Sequence, residues 1–409
     1  MRTLAFLFVA IFIFTGCTGN SSKKKEHKTE DQPTKGTYAY DRQFLKKYHD
    51  IIELKNGNSA VLLVADYQGR VMTSTCDGES SFGWINYDLI SSGKKAEHIN
   101  VYGGEERFWI GPEGGQFSIF FEKGKDFVFD NWQVPAEIDT EPFKVVSSNS
   151  TSATFSKDMH LKNYSGTEFD LNVNRKITIL DKASVQKELG VDAGNLSVAA
   201  FRSENRLKNK GLKAWKKETG LLSIWLLSML NPSDKAVIVI PVKAGDKEML
   251  GPVVIDDYFG KVSSGRLKVI DNVVYFRGDG KSRGKIGIPP LRAKGVMGSY
   301  DAENKVLTIL KCPVPENEKD YVNSLWKLQD DPYAGDVYNS YNDGPLADGS
   351  QLGPFYELET SSPALALKPG DEFSHDQTIC HFTGDEKELN EVAMKTLGVS
   401  LNQIKGIFE

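Results

Sequence analysis

Apolar and polar residues alternate with a period of two in several segments of this chain, the pattern of a half-buried strand. Phe169, Leu171, Val173, Ile177 and Ile179 share one parity. Ser59–Tyr67 and Arg70–Thr75 are short apolar runs broken at Gln68-Gly69, a turn signal. Ala236–Val242 is apolar throughout, as a strand covered on both faces would be. Val296–Tyr300 and Lys305–Leu310 flank Asp301-Ala302-Glu303-Asn304 and read as a hairpin. Leu221–Leu230 (LLSIWLLSML) fits either core strands or a short helix, and is too short to span a bilayer. Helical spacing is rare. It occurs at Asp41–Tyr48 and at Asp385–Leu397, where Leu389, Val392 and Ala393 recur and Gly398 offers a stop. No internal repeat is visible. The expected fold is all-β, a large antiparallel β-sandwich with a few short helices.

The N-terminus follows a different pattern. Arg2 precedes an unbroken apolar run, Leu4 to Phe14, then Thr15-Gly16-Cys17. The run is shorter than the roughly 20 apolar residues of a membrane span and has the length of a signal-peptide core. Phe14-Thr15-Gly16-Cys17 resembles the lipobox of bacterial lipoproteins. The resemblance implies removal of residues 1–16 and lipidation of Cys17, hence anchorage to a lipid bilayer. Residues 17–38 are rich in Ser, Lys, Glu and Gly and read as a flexible tether, reaching roughly 25 Å. Thr18 is not the Asp that, by the same resemblance, retains such proteins at an inner membrane. The expected location is the cell envelope, at the outer membrane.

Residues 39–409 are then one large β domain, although the length would also suit two ordinary ones. The formal charge of -5, mixed along the chain, excludes nucleic acid as an expected partner. Cys76, Cys312 and Cys380 are widely spaced, which argues against zinc, and at most one pair of them can bond. No metal or cofactor is expected.

Two segments concentrate chemistry. Val101–Phe117 (VYGGEERFWIGPEGGQF) sets Glu105, Glu106, Arg107, Trp109, Glu113 and Gln116 among paired glycines. Glycines let a backbone approach a ligand, aromatic faces stack on sugar rings, and carboxylates, Arg and Gln bind hydroxyls. The same residues would also serve as tight turns with Trp109 in the core. The second segment runs from Tyr338 to Phe382 and includes Asn339, Tyr341, Asn342 and Asp343. In a strand, Glu357 and Glu359 share one face and Tyr356 and Leu358 the other. That face is either solvated or a site, since burying two carboxylates without a purpose or a cation is costly.

Leu358-Glu359-Thr360, Leu367 to His375 (LKPGDEFSH) and Thr378 to Phe382 resemble the C-terminal end of the galactose mutarotases (aldose 1-epimerases). Tyr67-Gln68-Gly69-Arg70 resembles a G-G-R turn of that superfamily, and His98 to Gly104 its sugar-binding H-G-G region. The resemblance implies a β-supersandwich, a carbohydrate ligand, Glu359 as general base and Arg70 among the ligand-binding residues. The pattern also looks like an uncharacterised lipoprotein family of that fold group. One departure stands out: the mutarotases' mid-chain catalytic histidine has no match, since no histidine lies between His160 and His375. Glu113, His98 and His160 are the candidate acids. Arg70, Arg107, Trp109, Glu357, Asn342 and Asp343 are the candidate binding residues. The reading is an anchored lipoprotein that binds or acts on a carbohydrate. Its alternatives are a non-catalytic glycan-binding lipoprotein and a structural envelope protein.

Overall fold

The alternating segments assemble into antiparallel sheets of three, five and ten strands. The computed structural model describes residues 33–316 and 318–409, and residues 34–409 form one compact unit. Residues 1–16, Cys17 and the tether as far as residue 32 lie outside the described residues. Within the stretch read as tether, Thr37 caps a helix, Tyr38–Tyr48, by accepting from the Tyr40 N–H.

The ten-stranded sheet is the frame. Its order is Leu267–Ile270, Val273–Arg277, Ala236–Pro241, Val296–Asp301, Val306–Lys311, Glu372–Thr383, Ser197–Asn209, Glu168–Ile179, Ser152–Lys162, Lys144–Ser148. The Ala236–Pro241 strand is buried along its whole length. One side of the sheet packs Val237, Val239, Leu307 and Ile309 against Leu389, Val392 and Ile404 of the C-terminal helices. The other side contributes Ile238, Phe155, Val173 and Phe201 to the main core. Apolar surface on both faces explains the unbroken run. The hairpin forms as expected, with Val296 opposite Lys311 and the Asp301 carboxylate accepting turn N–H groups from Glu303 and Asn304. Asp385 caps the Glu386–Thr396 helix, whose Leu389, Val392 and Ala393 are buried.

The ambiguous run resolves as a strand, Ser223–Leu230, with every residue buried. It lies between the Tyr356–Ser361 and Arg107–Gly111 strands of the five-stranded sheet. Leu226 and Leu358 point into the main core, while the alternate residues point the other way. The three-stranded sheet, Ile51–Asn56, Ser59–Val64 and Arg70–Thr75, turns at Gln68 and Gly69, both with φ of 61°. Cys76, Cys312 and Cys380 are buried and free.

Arg175 interrupts the apolar row of the Glu168–Ile179 strand and is wholly buried. Its Nη2 donates to Glu106 Oε1 at 2.5 Å and its Nη1 to Asn205 at 2.7 Å. The other Glu106 oxygen accepts from Ser203 and from Gln377. Both charges are thus fully bonded in a medium that cannot solvate them. Arg175→Met strands the Glu106 charge and is expected to cost about 3–5 kcal/mol, read from the denaturation midpoint. A loss below about 1 kcal/mol would show that the pair is dispensable.

Candidate functional site

The five-stranded sheet runs in the order Gly284–Ile288, Tyr338–Asn342, Tyr356–Ser361, Ser223–Leu230, Arg107–Gly111. Strand register and the two-residue period lay out the face turned from the core as a grid. One row reads Gly287, Asn339, Glu359, Leu227, Arg107. The next, two residues along each strand, reads Lys285, Tyr341, Glu357, Met229. On the other side, Trp225 lies opposite both Ser361 and Trp109. Above this face opens a cleft of about 660 Å³, joined through Glu113, Trp225 and Lys285 to a recess of about 100 Å³ over Arg107 and Trp109.

Glu359 is fully buried, just behind the Lys285 and Trp225 side chains that line the cleft. Its Oε2 accepts from Lys285 Nζ and from Trp225 Nε1, each at 2.9 Å. Its Oε1 has no partner among the described residues. Glu357 accepts from Arg107 Nη2 at 3.2 Å, and that guanidinium lies 4.0 Å from the Trp109 ring centroid. Asp336 sits over Gly287, where a Cβ would fall 1.9 Å from its Oδ2, so any side chain there would displace the Asp336 carboxylate. Tyr258 donates its hydroxyl to that oxygen, and Oδ1 is unpartnered. Asp343 accepts from the Tyr341 hydroxyl at 2.5 Å and from the Gly353 N–H at 2.9 Å.

Desolvation governs the protons here. Burial pushes the Glu113 carboxyl up to about 7, with Lys285 opposing and Glu359 adding. Burial raises Asp336 to about 6 against the Tyr258 hydrogen bond. Glu357 is likewise raised by burial, although Arg107 opposes it. Burial disfavours the Lys285 ammonium, but Glu359 and Glu113 outweigh that and hold it above its ordinary value. The cleft can therefore offer a proton donor near neutral pH, Glu113, between aromatic walls.

Glu357, Glu113, Arg107 and Asp343 line this cleft or its recess, and Glu359 lies behind the lining, paired with Lys285. Trp109 is 2% exposed and packs on Phe120, Trp132 and Trp225. It is part of the floor rather than an open stacking platform. Four expected residues are elsewhere. Arg70 is buried in the three-stranded sheet, donating to the Gly103 carbonyl and Gln68. Asn342 has the opposite parity to Tyr341, and its amide donates to the Ser282 and Asp343 carbonyls. His98 bonds the Trp132 carbonyl and packs on Phe129. His160 is exposed and paired with Asp170. Neither histidine lines the cleft or its recess. Sequence reasoning missed Lys285, Asp336, Tyr258 and Trp225. The available signal for Lys285 is one charged residue in the apolar stretch Gly284–Ile288.

The sequence pattern of a family of unknown function, DUF6786, matches residues 36–408. No curated protein matches the chain in sequence. Among solved structures, the chain is similar to a candidate aldose 1-epimerase from Escherichia coli, at 11% identity and a TM-score of 0.48, covering 81% of this chain and 98% of that one. It is similar to the Slr1438 protein from Synechocystis, at 12% identity and a TM-score of 0.49, covering 82% and 96%. It is also similar to a galactose mutarotase-like protein from Lactobacillus casei, at 10% identity and a TM-score of 0.44, covering 81% and 100%.

The raised Glu113 value has a consequence for stability. A carboxyl shifted from 4.5 to about 7 on folding favours the native state fully below about pH 4.5 and loses that contribution as pH rises through about 7. Glu113→Gln, which cannot ionise, is expected to flatten the fall in stability between about pH 5 and pH 8. Urea midpoints across that range read the slope. An unchanged slope would place the Glu113 carboxyl in solvent.

Proposed function

The chain belongs to the DUF6786 family, and we propose that its cleft binds a carbohydrate and acts on it by proton transfer. Glu359 is the general base and Glu113 the acid. The observation that carries this reading is the Glu359 carboxylate: one oxygen is pinned by Lys285 and Trp225, which line a large cleft, and the other is buried just behind that lining with no partner among the described residues. A buried acceptor without a partner costs free energy that a ligand hydroxyl would recover. Carboxylates, amide and tyrosyl groups set between aromatic faces suit a ring that is apolar on its faces and polar at its edge.

Opening a sugar ring at its anomeric carbon needs a base at the anomeric hydroxyl and an acid at the ring oxygen. Glu359 takes the hydroxyl proton through its unpartnered oxygen, Oε1. Glu113, with a value of about 7, still holds a proton near neutral pH and delivers it. A second reading, a glycan-binding protein without turnover, is favoured by one observation: no histidine lines the cleft among the described residues. Both readings go with a proposed lipoprotein of the cell envelope, held to a bilayer through Cys17.

Glu359→Gln keeps the shape and removes the basicity. Polarimetry with the wild-type protein and a panel of sugars identifies the substrate. The variant is expected to turn it over about 100-fold more slowly, with binding by calorimetry only mildly weakened. If the chain only binds, affinity drops by roughly 1.5–3 kcal/mol, as for a charged hydrogen bond. An unchanged rate and affinity for a ligand that the wild type binds would remove Glu359 from the site. Separately, Cys17→Ser is expected to move the protein out of the membrane fraction as a soluble or uncleaved precursor. Unaltered partition into detergent would count against the anchor.

A further inference from the structure

Arg107, Lys285 and Arg283 line the cleft and its recess. Arg107 is paired with Glu357 and Lys285 with Glu359. Arg283 has no such partner: among the described residues no carboxylate oxygen lies within 4 Å of it. It precedes the Gly284–Ile288 strand by one residue and has the parity of Lys285, so both look onto the same face. Two strand residues span about 7 Å, roughly one sugar ring. The Arg283 guanidinium lies 4.0 Å from the Phe259 ring centroid. Such stacking holds the plane of the group and leaves its N–H edge free for a two-pronged bond to an oxyanion.

The size of the cleft points the same way. At protein packing density a hexose fills on the order of 200 Å³, and the cleft measures about 660 Å³. One ring over Glu359 leaves much of it open. The open part is walled by apolar side chains that remain exposed: Phe129 by 50%, Phe259 by 45%, Leu346 by 42% and Leu352 by 39%. Exposed apolar groups gathered at one mouth mark a surface that awaits a partner. Such side chains suit the faces of further sugar rings.

We propose that the cleft takes an oligosaccharide instead of a single sugar, and that the ring beyond Glu359 carries an acidic substituent, a carboxylate or a sulfate, bound by Arg283. The inference rests on the carbohydrate reading above and adds ligand length and charge to it. Arg283 selects the ligand and takes no part in proton transfer.

The test uses oligosaccharides of one to four rings. Each uronate-containing member is matched to its carboxyl-reduced form, and each sulfated member to its desulfated form. Calorimetry measures binding to the wild type and to Arg283→Gln. The expected result is affinity that rises from one ring to two or three. Charged members should bind about tenfold or more tighter than their neutral matches, as one charged hydrogen-bond pair implies. Arg283→Gln should reduce that ratio to near one. The uronate and sulfate arms tell which oxyanion is read. Equal affinity for charged and neutral matches overturns the inference but leaves the carbohydrate reading standing. So does a preference for charge that survives Arg283→Gln, or a single ring that binds as tightly as four. Binding of no member at any length removes the carbohydrate reading and this inference together.

Discussion

Glu105, Glu106 and Arg107 are three consecutive charged residues, and all are buried. Each is bonded in a different direction. Glu105 accepts from Ser74 and pairs with His381, Glu106 meets Arg175 across the main core, and Arg107 meets Glu357 on the cleft face. Strand geometry makes this arrangement strict. A slip of one residue along the Arg107–Gly111 strand would exchange the two faces. It would leave Glu106 toward the cleft and set Arg107 against Arg175 in the core. An unpaired charge or a like-charged pair in that position costs several kcal/mol. Apolar side chains tolerate a slip far more readily. The buried ions therefore fix which residues of the five-stranded sheet face the cleft.

The register fixed in this way also sets the composition of the site. With Arg107 outward, the row through Leu227 brings in Glu359 and Asn339, and the next row brings in Glu357, Tyr341 and Lys285. More carboxyls than cations then share the floor and walls. They coexist because burial raises Glu113 far enough to hold a proton close to neutral pH, and raises Asp336 less far, to about 6. The same desolvation that makes the cluster costly supplies its proton donors. Gly287 has a related part: its missing side chain is the space into which the Asp336 carboxylate fits.

Much of the architecture was legible in the chain, for reasons visible in particular residues. Period-two runs such as Phe169 to Ile179 and the uninterrupted Ala236–Val242 reported strands, because side-chain direction alternates whatever the tertiary setting. Leu221–Leu230 did not report its state, because a strand covered on both faces has no polar side to reveal a period. At the site, the same-face relation of Glu357 and Glu359 followed from spacing alone. Their burial did not, since it depends on what the Gly284–Ile288 and Tyr338–Asn342 strands place beside them. Lys285, Tyr258 and Asp336 are brought to Glu359 only by the long-range order of the sheet. Arg70 and Asn342 were legible as unusual residues in turn-rich stretches, but Arg70 is taken up by the Gly103 carbonyl and the Gln68 side chain, and Asn342 by the Ser282 and Asp343 carbonyls.

Lys285 gives the proposed chemistry its balance without a histidine. Its ammonium bonds Glu359 directly and is the strongest cationic influence on Glu113. Before reaction the base is charged and the acid neutral. After one proton has moved from the sugar to Glu359 and another from Glu113 to the sugar, the charges have exchanged places. The total carboxylate charge facing Lys285 is the same in both states. A cation held between two such groups stabilises reactant and product alike, and needs no movement of its own when the protons shift. The geometry that makes this possible is the alternation along the Gly284–Ile288 strand. Gly287 leaves room for Asp336, and two residues away Lys285 reaches the open floor beside Glu359. An exchange of the two residue types would push a side chain into Asp336 at one point and strip Glu359 of its paired cation at the other.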